Sequence, residues 1–414
     1  MSRNNYTARR NTAFNLWYAK IAALCVTISL VTQVSAQEVP PVTSLREAFE
    51  RVAVLLPEKA AQSERSAQTE AQRKAARSPF VGPPVTRSDL LTRSGGIIEQ
   101  ESSVSAAFKW PKEARAGVNA AKRGGDAATA AIVSAQLVLA GELRVAWWRF
   151  AKAKAVAEIS QNQLVTAQTE TDQMARLVQA GVQSRRDLLA SKAELATVMG
   201  RLSDVGTELA SAEADLRALI DTLPSRLTDE ALSAPSDIES HPLLVAAKAK
   251  YAAANASAAY LRFATRPRLE GSVGIRRERD DPRGGYSDAL LLGVTVPFGR
   301  DSRAIADAAG MKGEALSAEA EAIRLSARLI AEQRGATTRI ALSERRLIEA
   351  EARYAATREV LALTAKGRAE GEIGYIEYLR ARQALFDAEI DIASARIAKS
   401  AAISNVNQTM GVLP

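Results

Sequence analysis

The sequence predicts a mainly α-helical fold with a small β part, in which long helical hairpins carry four short strands. The 414-residue chain is 47% apolar but only 5% aromatic, and it is rich in Ala, Glu, Arg and Leu, which are strong helix formers. Two stretches of about 70 residues keep a helical period, whereas shorter intervals alternate apolar and polar residues as strands do. Long helices with thin apolar stripes indicate an extended molecule without a thick globular core.

An export signal is predicted for residues 1–36. Basic residues precede an apolar run at 21–31, and residues 34–36 supply the small side chains that a signal peptidase requires. The run is shorter than the roughly 20 apolar residues that span a bilayer as a helix. An uncleaved signal anchor is the alternative. Cys25, the single cysteine, would leave with the signal, so neither a disulfide nor a cysteine metal site is expected.

The charge pattern argues against a nucleic-acid partner. The whole chain has a formal net charge of +8, and without residues 1–36 it has 51 basic against 47 acidic residues, or +4. Acids and bases alternate along the helical stretches, which is typical of a solvated face, whereas nucleic-acid binding requires a clustered basic surface.

The chain contains an internal duplication. When the sequence is shifted by 190 residues, 104–195 aligns with 294–385 without a gap, and 17 of the 92 pairs are identical. The matches include a glycine pair, Gly181 and Gly371, and the spacing Glu-x-Arg-x-Ala-x-x-Arg. We therefore predict two structural repeats that follow the predicted signal. Their bounds are 37–223 and 240–414, with a linker at 224–239.

Each repeat opens with an amphipathic helix that a proline ends. The first helix is expected to run without a break from residue 44 to 77, and the second opens at "HPLLVAA". Pro79 and Pro267 follow them, and proline removes a backbone donor and disfavours helical geometry at the preceding residue.

The second repeat then contains two candidate strands. Residues 268–276 and 286–298 alternate in character and are joined by a charged loop. Strands of this length with one apolar and one polar or small face are typical of a transmembrane β-hairpin, although a hairpin in a soluble sheet has the same periodicity. The side chains predicted to face lipid are Leu290, Leu292, Val294 and Val296.

The strand pair of the first repeat is less regular. Residues 98–108 alternate, but the segment before them, 78–85, is interrupted by Pro83 and Pro84. Because proline cannot donate to a strand ladder, this pair is expected to be a poor bilayer spanner by itself.

Long helices follow both strand pairs. Each extends for about 70 residues, or roughly 105 Å, before it reaches Gly181 or Gly371. The returning helices, 184–220 and 375–408, cover only part of that length. We expect each returning helix to stack on the helix that opens the other repeat, so that together they cover one long helix. The four strands would leave open sheet edges, which lipid does not tolerate, so several copies are expected to close one barrel.

The two glycine turns are predicted to be the tips farthest from the strands. Gly181 and Gly371 suit the left-handed residue that ends a helix. Ser184 and Asp187 resemble a capping box for the returning helix, and Gly374 and Glu377 repeat this spacing with a poorer cap. The tip residues are Gly181, Ser184, Asp187, Leu189, Gly371, Gly374, Glu377 and Leu379.

These features together resemble the TolC family of outer-membrane efflux proteins. The resemblance rests on the predicted signal, the openings "SLREAF" and "HPLLVAA", the strand end "VTVPFGR" and the tips "AGVQSRRDLL" and "EGEIGYIEYL", in this order over nearly the whole chain. It implies a homotrimer in which four transmembrane strands per chain form a 12-stranded barrel in the outer membrane of a Gram-negative bacterium. The barrel would continue into an α-helical tunnel, or α-barrel, in the periplasm.

The resemblance also implies a function, partners and a candidate entrance. Such proteins are exit ducts of tripartite efflux pumps or type I secretion systems, have no enzymatic activity or cofactor, and work with a periplasmic adaptor and an inner-membrane pump or ABC transporter. Glu377 corresponds to an acid that forms a ring at the periplasmic entrance, and Asp187 to the acid of the first tip. Arg380 stands where a second acid is usual, which puts a double acidic ring in doubt. Helix capping is the alternative role for both acids.

Other functions are disfavoured by the sequence. His241, the single histidine, precedes Pro242 at a helix start, where capping or solvation is the simpler role. No phosphate-binding loop follows a strand, and no nucleophile is paired with a base. The rival class is a periplasmic coiled-coil adaptor or scaffold, but an adaptor has one long hairpin flanked by strand-rich domains, whereas this chain has two hairpins and four strands. Metal ions, small molecules and proteins all remain open as cargo.

Overall fold

The computed structural model describes residues 42–94, 97–279, 281, 283–299 and 301–414. The predicted signal at 1–36 lies outside the described residues. The helices are α1 (Leu45–Ala53), α2 (Pro57–Ala60), α3 (Gln62–Arg77), α4 (Pro111–Gln179), α5 (Arg185–Arg217), α6 (Pro242–Ala264), α7 (Ser302–Ala369) and α8 (Tyr375–Thr409). The strands are β1 (Val85–Arg93), β2 (Ile97–Ala107), β3 (Glu270–Arg279) and β4 (Ser287–Thr295), and a short 3-10 turn spans Ile238–Ser240.

The opening helix of the first repeat is broken, so the prediction of one continuous helix is wrong. Helix α1 is capped by Ser44, whose hydroxyl accepts the backbone N–H of Glu47 at 3.2 Å. Pro57 then stands at the first position of α2, and Leu56 before it has a ψ of 124°, outside helical geometry. The residue before a proline is pushed out of the helical region, which explains the break.

The four strands form one antiparallel sheet in chain order. The first strand begins at Val85, directly after Pro83 and Pro84, so the prolines precede the strand and do not interrupt it. Strand β2 pairs with β3, with Val104 opposite Val273, and thereby joins the hairpins of the two repeats. Strands β1 and β4 are the two edges of this sheet within the described part of the chain.

The two long helices have the predicted lengths. Helix α4 has 69 residues and α7 has 68, which corresponds to about 100 Å each. Pro111 occupies the first turn of α4, where its missing N–H costs nothing. The prediction of a mainly helical fold with a four-stranded sheet at one end is confirmed.

Each returning helix stacks on the helix that opens its own repeat, so the predicted exchange between repeats is wrong. The end of α5 lies against the start of α1, where Ser225 N–H donates to the Val42 carbonyl at 3.1 Å. The end of α8 meets the start of α6, where Gly411 lies against Pro242. Helix α4 therefore contacts α3 and α6 in its strand-side half and α5 and α8 in its tip-side half.

The segment between the repeats, residues 221–241, crosses α4 and connects the two stacks. Arg144 of α4 is only 3% exposed, and its Nε and Nη2 donate to the Glu230 carboxylate at 3.0 and 2.8 Å. Its Nη1 donates to Gln408 of α8. Asn407 holds the same segment through the Ala231 carbonyl, at 2.9 Å. A buried guanidinium requires this degree of pairing, so Arg144 fastens the crossing segment to both stacks.

The main apolar core lies at the level of this crossing. Trp147 is fully buried, and Trp148 donates its indole N–H to Ser404 at 2.8 Å, so both tryptophans are part of this core. Helix α1 contributes Phe49 and α5 contributes Leu216. Further buried members are Val42, Leu45, Ala48, Ala53, Ala140, Leu143, Ala146, Phe150, Ala151, Ala153, Ala212 and Ile220.

Replacement of Gly411 by Ala should destabilise the stack of α8 on α6. Gly411 has a φ of +76°, and an added Cβ would lie 2.5 Å from Pro242 Cδ. We expect a loss of about 1 to 3 kcal/mol, seen as a lower Tm by circular dichroism of the purified protein. Gly200→Ala is the control, because no atom lies within 4 Å of its added Cβ; an equal Tm for the two variants would contradict the close contact.

Candidate functional site: the tip turns and the strand faces

The first tip turn closes α4 by a Schellman motif. Gly181 has a φ of +74°, and its N–H donates to the Val178 carbonyl at 3.1 Å. The N–H of Val182 donates to the Leu177 carbonyl at 2.9 Å, so the last carbonyls of the helix are satisfied. A β-carbon at Gly181 would be strained by this conformation even though no atom lies within 4 Å of it.

The second tip turn repeats this geometry at the end of α7. Gly371 has a φ of +83° and donates to the Arg368 carbonyl at 3.1 Å. Glu372 N–H donates to the Gly367 carbonyl at 2.8 Å. Gly374 is the N-cap residue of α8 and has no side chain with which to cap it. The two repeats thus end their long helices in the same way but begin the returning helices differently.

The two tip acids have different surroundings. Asp187 is buried; its carboxylate accepts the Ser184 hydroxyl at 2.7 Å, and that hydroxyl accepts the Asp187 backbone N–H at 3.2 Å. Glu377 is exposed in the first turn of α8, and its carboxylate has no hydrogen bond or ion pair within the described chain. Arg380, one turn later, is also exposed. Asp187 is therefore engaged as part of a cap, whereas Glu377 presents its charge to solvent.

The two equivalent leucines also differ. Leu379 is buried in a small cluster with Met174 of α4 and Tyr375 of α8, whereas Leu189 is exposed. In the first repeat the neighbouring Leu188 packs against this cluster instead. The tips of the two hairpins are therefore held together by an apolar contact to which the second repeat contributes more.

A polar network next to this cluster joins α4 to α8. Tyr378 donates its hydroxyl to Glu170 at 3.0 Å, and Arg382 donates to the other oxygen of the same carboxylate. Burial and the neighbouring Glu170 charge raise the pKa of Tyr378, so its hydroxyl remains a donor. Arg368 lies over the rings of Tyr375 and Tyr378, at 4.5 and 4.7 Å from their centroids.

Sequence reasoning missed this network. The partners of Glu170 lie 208 and 212 residues away along the chain. Only the spacing of Tyr378 and Arg382, four residues apart on one helix, was visible, and it places them on one face without naming a partner.

One face of the β3–β4 hairpin is predominantly apolar. Directly opposite residues share a face, and Leu290 lies opposite Ile275, while Leu292 lies opposite Val273. The exposed side chains of Leu290, Leu292 and Val294 continue this face along β4. Val296 is exposed too, one residue beyond the end of β4.

The other face is polar or has small side chains. Ser272 lies opposite Gly293, and Glu270 lies opposite Thr295. Arg276 belongs to this face and binds Glu99 of β2 at 2.8 Å. The two faces of the sheet thus differ in polarity as the two sides of a barrel wall do.

Aromatic side chains mark both ends of the apolar face. At the loop end, Tyr286 lies beneath the guanidinium groups of Arg277 and Arg279, which are 5.6 and 5.3 Å from its centroid. At the helix end, Phe298 is 98% exposed, and Phe108 packs on Phe80 with ring centroids 5.4 Å apart. Aromatic girdles of this kind flank the apolar band of transmembrane barrels.

His241 has a structural role. Its Nδ1 accepts the Leu243 N–H at 3.3 Å and caps α6, while the ring is buried against Gly411. Burial lowers the pKa of His241, so the neutral ring is favoured. Across the described chain no group of His, Cys, Asp and Glu side chains is arranged to hold a metal ion.

The comparisons with known proteins agree with this geometry. Residues 236–412 match the family model described as outer membrane efflux protein. None of the curated protein sequences matches the chain. Among solved structures, VceC from Vibrio cholerae is 16% identical with a TM-score of 0.70, over 89% of this chain and 96% of that one. CmeC from Campylobacter jejuni is 14% identical with a TM-score of 0.70, over 89% and 85% of the two chains. MtrE from Neisseria gonorrhoeae, solved in an open state, is 17% identical with a TM-score of 0.68, over 89% of each chain.

Replacement of Glu170 by Gln should loosen the contact between the hairpin tips. Arg382 is 8% exposed and would lose its charged partner, which typically costs about 3 kcal/mol for a buried pair. Hydrogen exchange of the purified protein should then speed up around Met174 and Tyr375 but not around Trp147. The control, Glu377→Gln, alters an exposed acid without a partner in the described chain and should leave exchange unchanged. Equal exchange in both variants would show that the network contributes no stability.

Proposed function

We propose that this chain, whose residues 236–412 are an outer membrane efflux protein domain and whose fold is that of the outer membrane efflux channels, is one subunit of an exit duct in the outer membrane of a Gram-negative bacterium. The duct would serve a tripartite efflux pump or a type I secretion system. The observation that carries the proposal is a sheet with one apolar face at one end of helices about 100 Å long.

The neighbours of the two long helices support a ring of several copies. Helix α4 contacts α3, α5, α6 and α8, whereas α7, its counterpart in the second repeat, contacts only α6 and α8 among these helices of the described chain. By the symmetry of the duplication, the missing neighbours of α7 are α3 and α5 of a second copy. Leu316, Ile323 and Ile330 of α7, seven residues apart, are partly or largely exposed, which suits such a helix contact. Three copies, as family membership implies, would supply twelve strands.

The two faces of the sheet support one orientation of the strands in the membrane. The apolar face that contains Leu292 and Val294 would contact lipid, and the face that contains Gly293 and Arg276 would line the lumen. Edge strands β1 and β4 would pair between copies, because unpaired backbone groups cannot be left in the bilayer. The helical part would then extend into the periplasm as a tunnel.

The tips would be the docking site of the periplasmic adaptor. Val182, Leu189 and Ile376 expose apolar side chains there, and Gly181 and Gly371 fix the shape of the two turns. The adaptor would link the duct to an inner-membrane pump or ABC transporter. Glu377 would contribute one acid per chain to a ring at the entrance, because its carboxylate has no partner in the described chain.

A periplasmic scaffold is the second candidate, and the strand faces argue against it. A soluble scaffold would bury its apolar sheet face, yet Leu290, Leu292 and Val294 lie on the outside of this sheet. Neither proposal includes catalysis or nucleic-acid binding. The cargo class stays open between metal ions, small molecules and proteins.

Replacement of Val294 by Arg should impair assembly in the outer membrane. A cation on the lipid side of a strand costs about 2 to 4 kcal/mol near the bilayer midplane. The neighbouring variant Thr295→Arg, on the opposite face, is the control and should assemble as the parent protein does. The measurement is the yield of folded oligomer in isolated outer membranes; equal yields of the two variants would contradict the assigned faces.

Glu377→Gln should change conduction in a salt-dependent way. A ring of like charges at a narrow entrance attracts cations, and salt screens it. Single-channel recordings in planar bilayers should show lower cation preference at low salt and little difference at 1 M salt, where the Debye length is about 3 Å. Unchanged conduction at low salt would reduce Glu377 to a helix-terminal acid without a role at the entrance.

A further inference from the structure

A groove runs along α8 from the tip network toward the strands. Its floor is one face of α8, and its walls are α4 and α7. The space is about 770 Å³, within the range of sites that bind drug-sized molecules. Glu170, Tyr378 and Arg382 of the polar network line its tip-side end.

The lining combines apolar and aromatic side chains with polar ones. Ile159 comes from α4, Tyr354 and Leu361 from α7, and Phe386 and Ile392 from α8. Apolar walls with a few polar groups are typical of small-molecule sites, because burial supplies affinity and the polar groups supply orientation.

Two polar groups in the groove are left without a partner. Gln163 is 9% exposed, and neither atom of its amide has a hydrogen-bond partner within the described residues. The Nε of Arg382, which is 8% exposed, is likewise without one, although its Nη1 binds Glu170. An unsatisfied buried amide costs about 1 to 3 kcal/mol, so a ligand that bonds to Gln163 would recover this loss.

The groove also contains one acid without a counter-charge. Glu170 is bonded to Arg382 and Tyr378, and Arg396 lies 3.9 Å from an acid outside the groove. Glu389 of α8 is half-buried and makes no ion pair in the described chain, and burial raises its pKa. The remaining titratable group of the lining is Tyr354 on α7. Among the acids of the lining, Glu389 is therefore the one without an ion-pair partner in the described chain.

We infer that this groove binds an amphipathic organic cation of drug size. Its apolar body would lie between Tyr354, Phe386 and Leu361, its positive group would approach Glu389, and a polar atom would bond to the amide of Gln163. The site needs only the packing of α4, α7 and α8 within one chain, so it does not depend on the duct function.

The test uses two probes of the same shape and opposite charge, tetraphenylphosphonium and tetraphenylborate. Equilibrium dialysis against the full chain in lipid nanodiscs, with binding to empty nanodiscs subtracted, should show saturable binding of the cation at one site per chain. Glu389→Gln should weaken binding at least about tenfold, the effect of losing about 1.4 kcal/mol. Asp387→Asn, an exposed acid on the same helix, is the matched control and should bind as the parent protein does.

The pH dependence separates a charge contact from a structural effect. The ionised carboxylate attracts the cation, so affinity should fall as the pH is lowered through the raised pKa of Glu389. The affinity of Glu389→Gln should remain flat over the same range, and an unchanged Tm would show that this variant is folded. Three results would overturn the inference: no saturable cation binding, as when a second copy covers the groove; equal binding by Glu389→Gln; or tighter binding of tetraphenylborate.

Discussion

The structure depends on the burial of two helices that are each about 100 Å long. No single returning helix is as long as α4 or α7. The returning helices α5 and α8 therefore cover the tip-side half of the long helices, and the opening helices α1–α3 and α6 cover the strand-side half. The junctions are the weak points of this arrangement, because helix ends leave backbone groups without partners there. The largest core, the tryptophans and the buried Arg144 all lie at that level.

The same constraint leaves part of one long helix uncovered within a single chain. Helix α4 is surrounded, whereas α7 is covered on one side only within the described chain. The sheet is likewise incomplete, because β1 and β4 each have one side without a paired strand in the described chain. A ring of copies would cover the exposed side of α7 and pair the edge strands at the same time. The uncovered side of the second repeat in each copy would contact the uncovered side of the first repeat in the next copy.

Most helix ends and two of the strands could be predicted from the sequence, whereas the contacts between distant segments could not. Period and glycine placement predicted the ends of α4 and α7, since Gly181 and Gly371 can adopt positive φ, and alternation predicted β3 and β4. The break before Pro57 was missed although a proline marked it.

The partners of Arg144 and Glu170 could not be found from the sequence. They lie 86 to 264 residues away, and a helical face does not state which other helix it meets. For the same reason the sequence did not show whether a returning helix stacks on the opening helix of its own repeat or of the other repeat. Both arrangements bury the same length of α4, and only the path of the crossing segment distinguishes them. The groove with Glu389 was missed as well, since α4, which forms one of its walls, lies far from α7 and α8 in the sequence.

A thiol-specific cross-link between copies tests the ring most directly. Within one chain, Trp148 of α4 donates a hydrogen bond to Ser404 of α8. The positions equivalent to these two in the other repeat, 190 residues away, are Thr338 on α7 and Ala214 on α5. Both are exposed, and in a ring Thr338 of one copy would face Ala214 of the next. With cysteines at 338 and 214 and Cys25 replaced by Ser, a short bis-maleimide, which bridges pairs too far apart for a disulfide, should give a covalent ladder that ends at three chains when it is added to membranes. A protein with only one of the two cysteines should give no ladder. Absence of the ladder from the double variant, or a series that stops at two chains, would contradict the closed ring of three copies.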